Sequence, residues 1–171
     1  MSKKNIGKPP GSDDSLISSL VYSALNTSKE HILRPANPEW IEEAGNLLVR
    51  RCLSSTFDQK TVLQELMELG FKHDTIVDYC IPLTATKLGE SWVNDTLSFS
   101  ETTVASANLQ ILLKLIAEDR QISFNSSNGK RFLICVHESE QHTLGALVMG
   151  DMLRRQGHSL KIKLDAKFSE I

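Results

Sequence analysis

From Ser98 to Arg120 the chain announces a helix together with its starting point. Ser98-x-x-Glu101 is a capping box, in which the serine side chain takes the N–H three residues on while the glutamate reaches back to the serine N–H. Behind it Leu109, Leu112, Leu113 and Ile116 recur at spacings of three and four and share one stripe. At ~1.5 Å per residue the segment Phe99 to Arg120 makes a rod of roughly 33 Å. A rod of that length with a single apolar stripe must bury it against other helices.

The sequence supplies those helices. Pro35 and Pro38 mark the entrance to an element in which Ile41, Ala44, Leu47, Leu48 and then Cys52 follow helical spacing. Phe57 and Asp58 form a staple and N-cap for a helix through Val62, Leu63, Leu66 and Met67 that Gly70 closes. His73 to Cys80 predicts a short helix, interrupted by Pro82, which then occupies the first turn of the next one. There Ala85, Leu88 and Trp92 share a face. Ser15 to Leu25 adds an amphipathic segment through Leu16, Leu20, Val21 and Leu25.

The expected organisation is therefore a tail over 1–14, rich in lysine, proline and glycine and too poor in apolar residues to order itself, then a helical bundle over 15–121. Serine, asparagine and glycine mark 122–130 as a linker. From 131 to 171 the pattern changes to a strand, Arg131 to His137, a helix, Leu144 to Arg155, and a second strand from Ser159 in which Leu160, Ile162 and Leu164 alternate. The fold class is mainly α, a helical bundle followed by the β-α-β start of a flavodoxin-like, Rossmann-type domain.

Composition removes several function classes. A formal net charge of −2 over 171 residues gives no broad basic surface for nucleic acid, and no helix-turn-helix pattern is present. No apolar run is long enough to span a bilayer, and no apolar core follows the N-terminal lysines, which predicts a cytoplasmic protein. Cys52, Cys80 and Cys135 stand far apart inside apolar runs, as buried reduced thiols do. No nucleophile with a paired base, carboxylate pair or phosphate loop appears, so the chain is not expected to be an enzyme. His31, His73, His137 and His158 have no partner at metal spacing.

The chemistry concentrates in Glu140-Gln141-His142-Thr143-Leu144-Gly145. A buried strand followed at once by a helix puts this loop at the carboxyl edge of the sheet, where open α/β domains hold ligands. Imidazole is a good transition-metal donor, and a carboxylate two residues away can accept the proton of its other ring nitrogen. Gly145, in the first helical turn, leaves the backbone approachable by a bulky group. On these residues alone His142 is either such a donor or a plain cap or loop histidine.

This acid-x-His-x-x-Gly motif resembles the one with which cobalamin-binding domains present a histidine to the lower face of cobalt. Upstream, Leu88-Gly89-Glu90-x-Trp92-x-x-Asp95-x-x-Ser98-Phe99-x-Glu101-x-Thr103, then Leu109-Gln110, resembles the helical cap of cobalamin-binding regulators of the AerR/PpaA antirepressor type from photosynthetic bacteria. The resemblance covers roughly residues 37 to 164. It implies that His142 is the axial ligand of cobalt, with Glu140 behind it and Gly145 beside it, and that Trp92 and Phe99 lie against the other face of the corrin. It implies a cobalamin-dependent transcriptional regulator of photosynthesis genes that acts through a repressor protein, without direct binding to nucleic acid or membrane. The plainer readings are that Trp92 is a core or interface residue, Phe99 a staple, and Glu101 only half of the capping box.

Thr102-Thr103 stand where related light-sensing regulators of carotenoid genes carry Glu-His, which matches the antirepressor branch and argues against carotenoid-type photochemistry. One departure limits the resemblance: the later strands, with the Ser or Thr and the glycine pair that admit the nucleotide tail, have no counterpart after Leu164. An incomplete cobalamin domain over 131–171, binding its cofactor weakly or not at all, is the expectation. A corrinoid carrier in methyl transfer and a cofactor-free interaction module are the alternatives, and haem could replace cobalamin.

Overall fold

The computed structural model describes residues 37–120, 129–140 and 142–167; the tail, the amphipathic segment Ser15 to Leu25 and most of the linker lie outside them. Asn37 caps the first helix, α1 (Pro38–Cys52), by accepting a hydrogen bond from the Glu39 N–H at 3.0 Å, and Pro38 fills the first position, where no N–H is needed. Asp58 does the same for α2 (Gln59–Glu68), its carboxylate accepting from the Thr61 N–H at 2.8 Å. Val62, Leu63 and Leu66 complete the buried stripe of α2. Met67, expected on that stripe, falls off its edge and is 49% exposed.

Pro82 does not break its helix. The chain runs from α3 (His73–Thr75) through a π-helical turn (Ile76–Cys80) into α4 (Ile81–Val93), and the Ile81 N–H bonds to the Ile76 carbonyl, five residues back. A proline ring clashes with the carbonyl four residues before it in a regular helix; the widened turn relieves this at the point where the clash would fall. Thr84, fully buried, donates its hydroxyl to the Cys80 carbonyl at 2.7 Å. Asn94 then ends α4, and Asp95, at φ 55°, reverses the chain.

The fifth helix, α5 (Phe99–Asp119), starts with both halves of its capping box formed: Glu101 N–H donates to Ser98 Oγ at 3.2 Å and Ser98 N–H to Glu101 Oε2 at 2.8 Å. Hydrogen bonds from the Ser98 hydroxyl and then its backbone N–H hold the Glu101 carboxyl below its ordinary value. A lowered folded value means stability that is complete above the usual carboxylate range and disappears as pH falls through the folded value. Ser98→Ala is expected to destabilise the chain in urea denaturation near neutral pH, and the gap between variant and parent should narrow in acid, where the neutral cap remains and the charged half of the box is lost. An equal gap at both pH values would show that the box contributes nothing through its charge.

Among the described residues the main buried cluster is built by these helices with Phe71 from the loop after α2. Ala44, Leu48, Leu66, Ile76, Ile81, Leu88, Leu109, Leu112 and Ile116 are all essentially inaccessible to solvent and form one cluster. Two strands, β1 (Arg131–His137) and β2 (Ser159–Ala166), pair in parallel with Arg131 opposite Ser159 and Ile134 opposite Ile162, and α6 (Leu144–Arg155) connects them. Gly150 lets α6 sit directly on β2: a Cβ there would lie 2.7 Å from Ile162 Cδ1. Through Leu144, Leu147 and Val148 the same helix packs on the helical core. The chain is thus mainly α, a helical region followed by a small β-α-β unit. Among the described residues no helix is long and apolar enough to cross a membrane.

Candidate functional site

The loop between β1 and α6 is shaped by its own side chains. Ser139 N–H points at His137 Nδ1 at 3.2 Å, with the Ser139 hydroxyl 2.8 Å from the same nitrogen, and the Glu140 N–H returns to the His137 carbonyl at 2.9 Å. His137 is accordingly a turn residue. Beyond it, Glu140 Oε1 lies 2.7 Å from both the backbone nitrogen and Nδ1 of His142. With the proton on Nδ1 donated to this carboxylate, the lone pair resides on Nε2. The His142 side chain is 91% exposed, so that nitrogen faces solvent on a ring whose orientation is fixed from behind.

Gly145 follows in the first turn of α6, and a Cβ built on it meets nothing within 4 Å. Unlike Gly150, it answers no packing demand of the protein itself. A glycine inside a helix costs about 1 kcal/mol relative to alanine, and the space it leaves is open to whatever approaches the loop. Thr143, at the N-cap, does not cap; its hydroxyl instead accepts from Gln110 Nε2 at 3.2 Å, which fastens the loop to α5.

Trp92 and Phe99 form a second pair. Their rings meet edge to face with centroids 6.4 Å apart, and they remain 46% and 64% exposed. The helical face shared with Ala85 and Leu88 is therefore not a buried one at Trp92: Leu88 closes the core, and Trp92, on the last turn of α4, extends past it to lie against Phe99 across the turn. Phe99 begins α5 and lies about 16 Å along the helix from Gln110. The structure thus joins Glu140 to His142 and Trp92 to Phe99, on different elements. α5 and α6 run side by side in the same direction, since Gln110 meets Thr143 at one end and Arg120 meets Asp151 at the other. The His142 loop leaves α6 at the end toward which α5 runs back to Phe99.

Sequence reasoning missed a buried ionic network at the opposite end. Arg120 Nη1 and Arg155 Nε reach Asp151 Oδ2 at 2.6 and 2.9 Å, Arg155 also grips Asp78, and Asp74 lies 2.8 Å from Arg120 Nη2. Burial pushes the Asp78 carboxyl above its ordinary value against the pull of Arg155. Burial also draws the Arg155 guanidinium down, but its hydrogen bond to Asp78 and the charges of Asp78, Asp151 and Asp74 outweigh that and leave it raised. One signal was available: Asp151 is an acid set among Met149, Gly150, Met152 and Leu153. Cys52 and Cys80 are pushed up to about 12 by burial, which makes them unreactive thiols at neutral pH. Among the described residues no group of three His, Cys, Asp or Glu side chains could hold a metal ion.

No known protein-family profile matches the chain. A protein of Rhodobacter capsulatus described as an uncharacterized 20.5 kDa protein in the bchF-crtJ intergenic region is 34% identical over 102 residues, which is 57% of this chain and 52% of that protein. The chain therefore spans about half the length of that relative.

Proposed function

We propose that this chain is a cobalamin-responsive regulator of photosynthesis genes that acts on a repressor protein. The observation that carries the reading is the Glu140–His142 pair, with Nδ1 held at 2.7 Å and Nε2 presented to solvent beside the open backbone of Gly145. That donor set fits a nitrogen ligand for cobalt, and a bound corrinoid would supply a ligand sphere that changes with light or redox state. In this reading His142 would hold the metal, Glu140 would fix its tautomer and raise its basicity, Gly145 would leave the backbone open to the group, and Trp92 with Phe99 would offer an exposed aromatic surface. The likeness to a protein encoded between bchF and crtJ supports the photosynthetic setting.

A route through a protein partner follows from the charge balance of −2, which offers no broad phosphate-binding footprint. The purified chain is expected to give no specific retention of promoter DNA at physiological salt, and to change retention of that DNA by the cognate repressor when cobalamin is added. Tight sequence-specific binding by the chain alone would overturn the reading. A change in repressor retention that is identical with and without cobalamin would leave a cofactor-free interaction module instead.

A further inference from the structure

We propose that Arg120, Asp151, Arg155 and Asp78 form an ionic lock that sets how the β-α-β unit sits on the helices, and that its opening releases this unit while the helical core stays folded. The inference is independent of what His142 binds.

Four observations lead to it. The network ties three stretches that are remote in sequence: the π-helical turn through Asp78, the end of α5 through Arg120, and α6 through Asp151 and Arg155. It is withdrawn from solvent, the side chains of Asp151 and Arg120 being 3% and 9% exposed. The fully buried helical core draws only on residues between Ala44 and Ile116, whereas α6 adds Leu144, Leu147 and Val148, which are only partly buried. The apolar seam under α6 is thus thin, and burial without direction does not fix one orientation; the pairing of charges does. Lastly, the lock is poised near imbalance. Asp74, Asp78 and Asp151 face Arg120 and Arg155, and Asp151 Oδ1 and Arg120 Nε are buried without a hydrogen-bond partner.

Removing Arg155 leaves Asp78 buried without its cation while Asp151 keeps Arg120, which is far worse than never having had the pair. Removing Arg155 and Asp78 together leaves Asp151 with Arg120, a balanced remnant. Hydrogen exchange followed by mass spectrometry on the full chain separates the possibilities. Arg155→Met is expected to speed exchange of the β1 and β2 amides by about 100-fold or more while α1, α4 and α5 keep their protection, and Arg155→Met with Asp78→Leu to restore most of the loss. Should Arg155→Met fail to fold, Arg155→Lys, which keeps the charge but loses the planar fork, should show the same selectivity at smaller size. Equal acceleration in helices and strands would make the two parts one cooperative unit and overturn the proposal, as would unchanged exchange in the strands.

Discussion

Leu109→Ala is expected to lower the unfolding free energy by about 2–5 kcal/mol, measured by urea denaturation. Leu109 is completely buried midway along α5, with Ala105, Leu112 and Leu113 of the same stripe equally enclosed and α1, α2 and α4 packed around it. The surrounding core relaxes only in part around such a truncation, so the cavity left adds to the lost transfer energy. Leu133→Ala on β1, where the side chain is 58% exposed, should by contrast change stability by roughly 0.5 kcal/mol or less. The contrast tests where the core lies. Equal losses at the two positions would contradict a core centred on α1, α2, α4 and α5.

What could be read from the sequence follows the range of the interactions. The capping box at Ser98 and Glu101, the N-cap at Asp58, and the stripe from Leu109 to Ile116 involve residues within one or two turns, and each stands where its spacing places it. The Glu140–His142 pairing is equally local, being two residues apart. Pro82 stands in the first turn of α4 as its type predicts, but the break expected before it is a π-helical turn at Ile76–Cys80 that absorbs the clash of its ring. Met67 and Trp92 lie at the margins of apolar stripes, where periodicity does not say which flank faces solvent. Of the lock only the Asp151–Arg155 arm, four residues apart on α6, is local; Arg120 pairs across 31 residues and Arg155 with Asp78 across 77, and no local pattern encodes those partners.

At the candidate site the largest expected effect belongs to His142→Ala. If Nε2 is the nitrogen that holds cobalt, the variant loses that protein donor to the metal. Glu140→Gln keeps the ligand but weakens its orientation and basicity, a change that costs about 10–100-fold in affinity at comparable metal sites. His142→Ala should cost more than Glu140→Gln, and both should leave the unfolding free energy nearly unchanged, because the His142 side chain is 91% exposed. Gly145→Leu should weaken binding with the ligand intact, by filling the space that a Cβ alone would leave open. Absorption titrations with hydroxocobalamin into the high micromolar range would rank the three variants. A Glu140→Gln variant weaker than His142→Ala would refute the assignment of roles.

The central claim, that His142 donates its Nε2 to cobalt, is tested most directly by electron paramagnetic resonance of the full chain loaded with cobalamin in its cobalt(II) form. With natural histidine each cobalt line is expected to split into three through one axial nitrogen, and with histidine carrying the heavy nitrogen isotope into two. That isotope response comes only from a protein imidazole, and it should vanish in His142→Ala. Spectra that stay threefold in the labelled protein would mean that cobalt keeps the nucleotide base of the cofactor, and would contradict the claim.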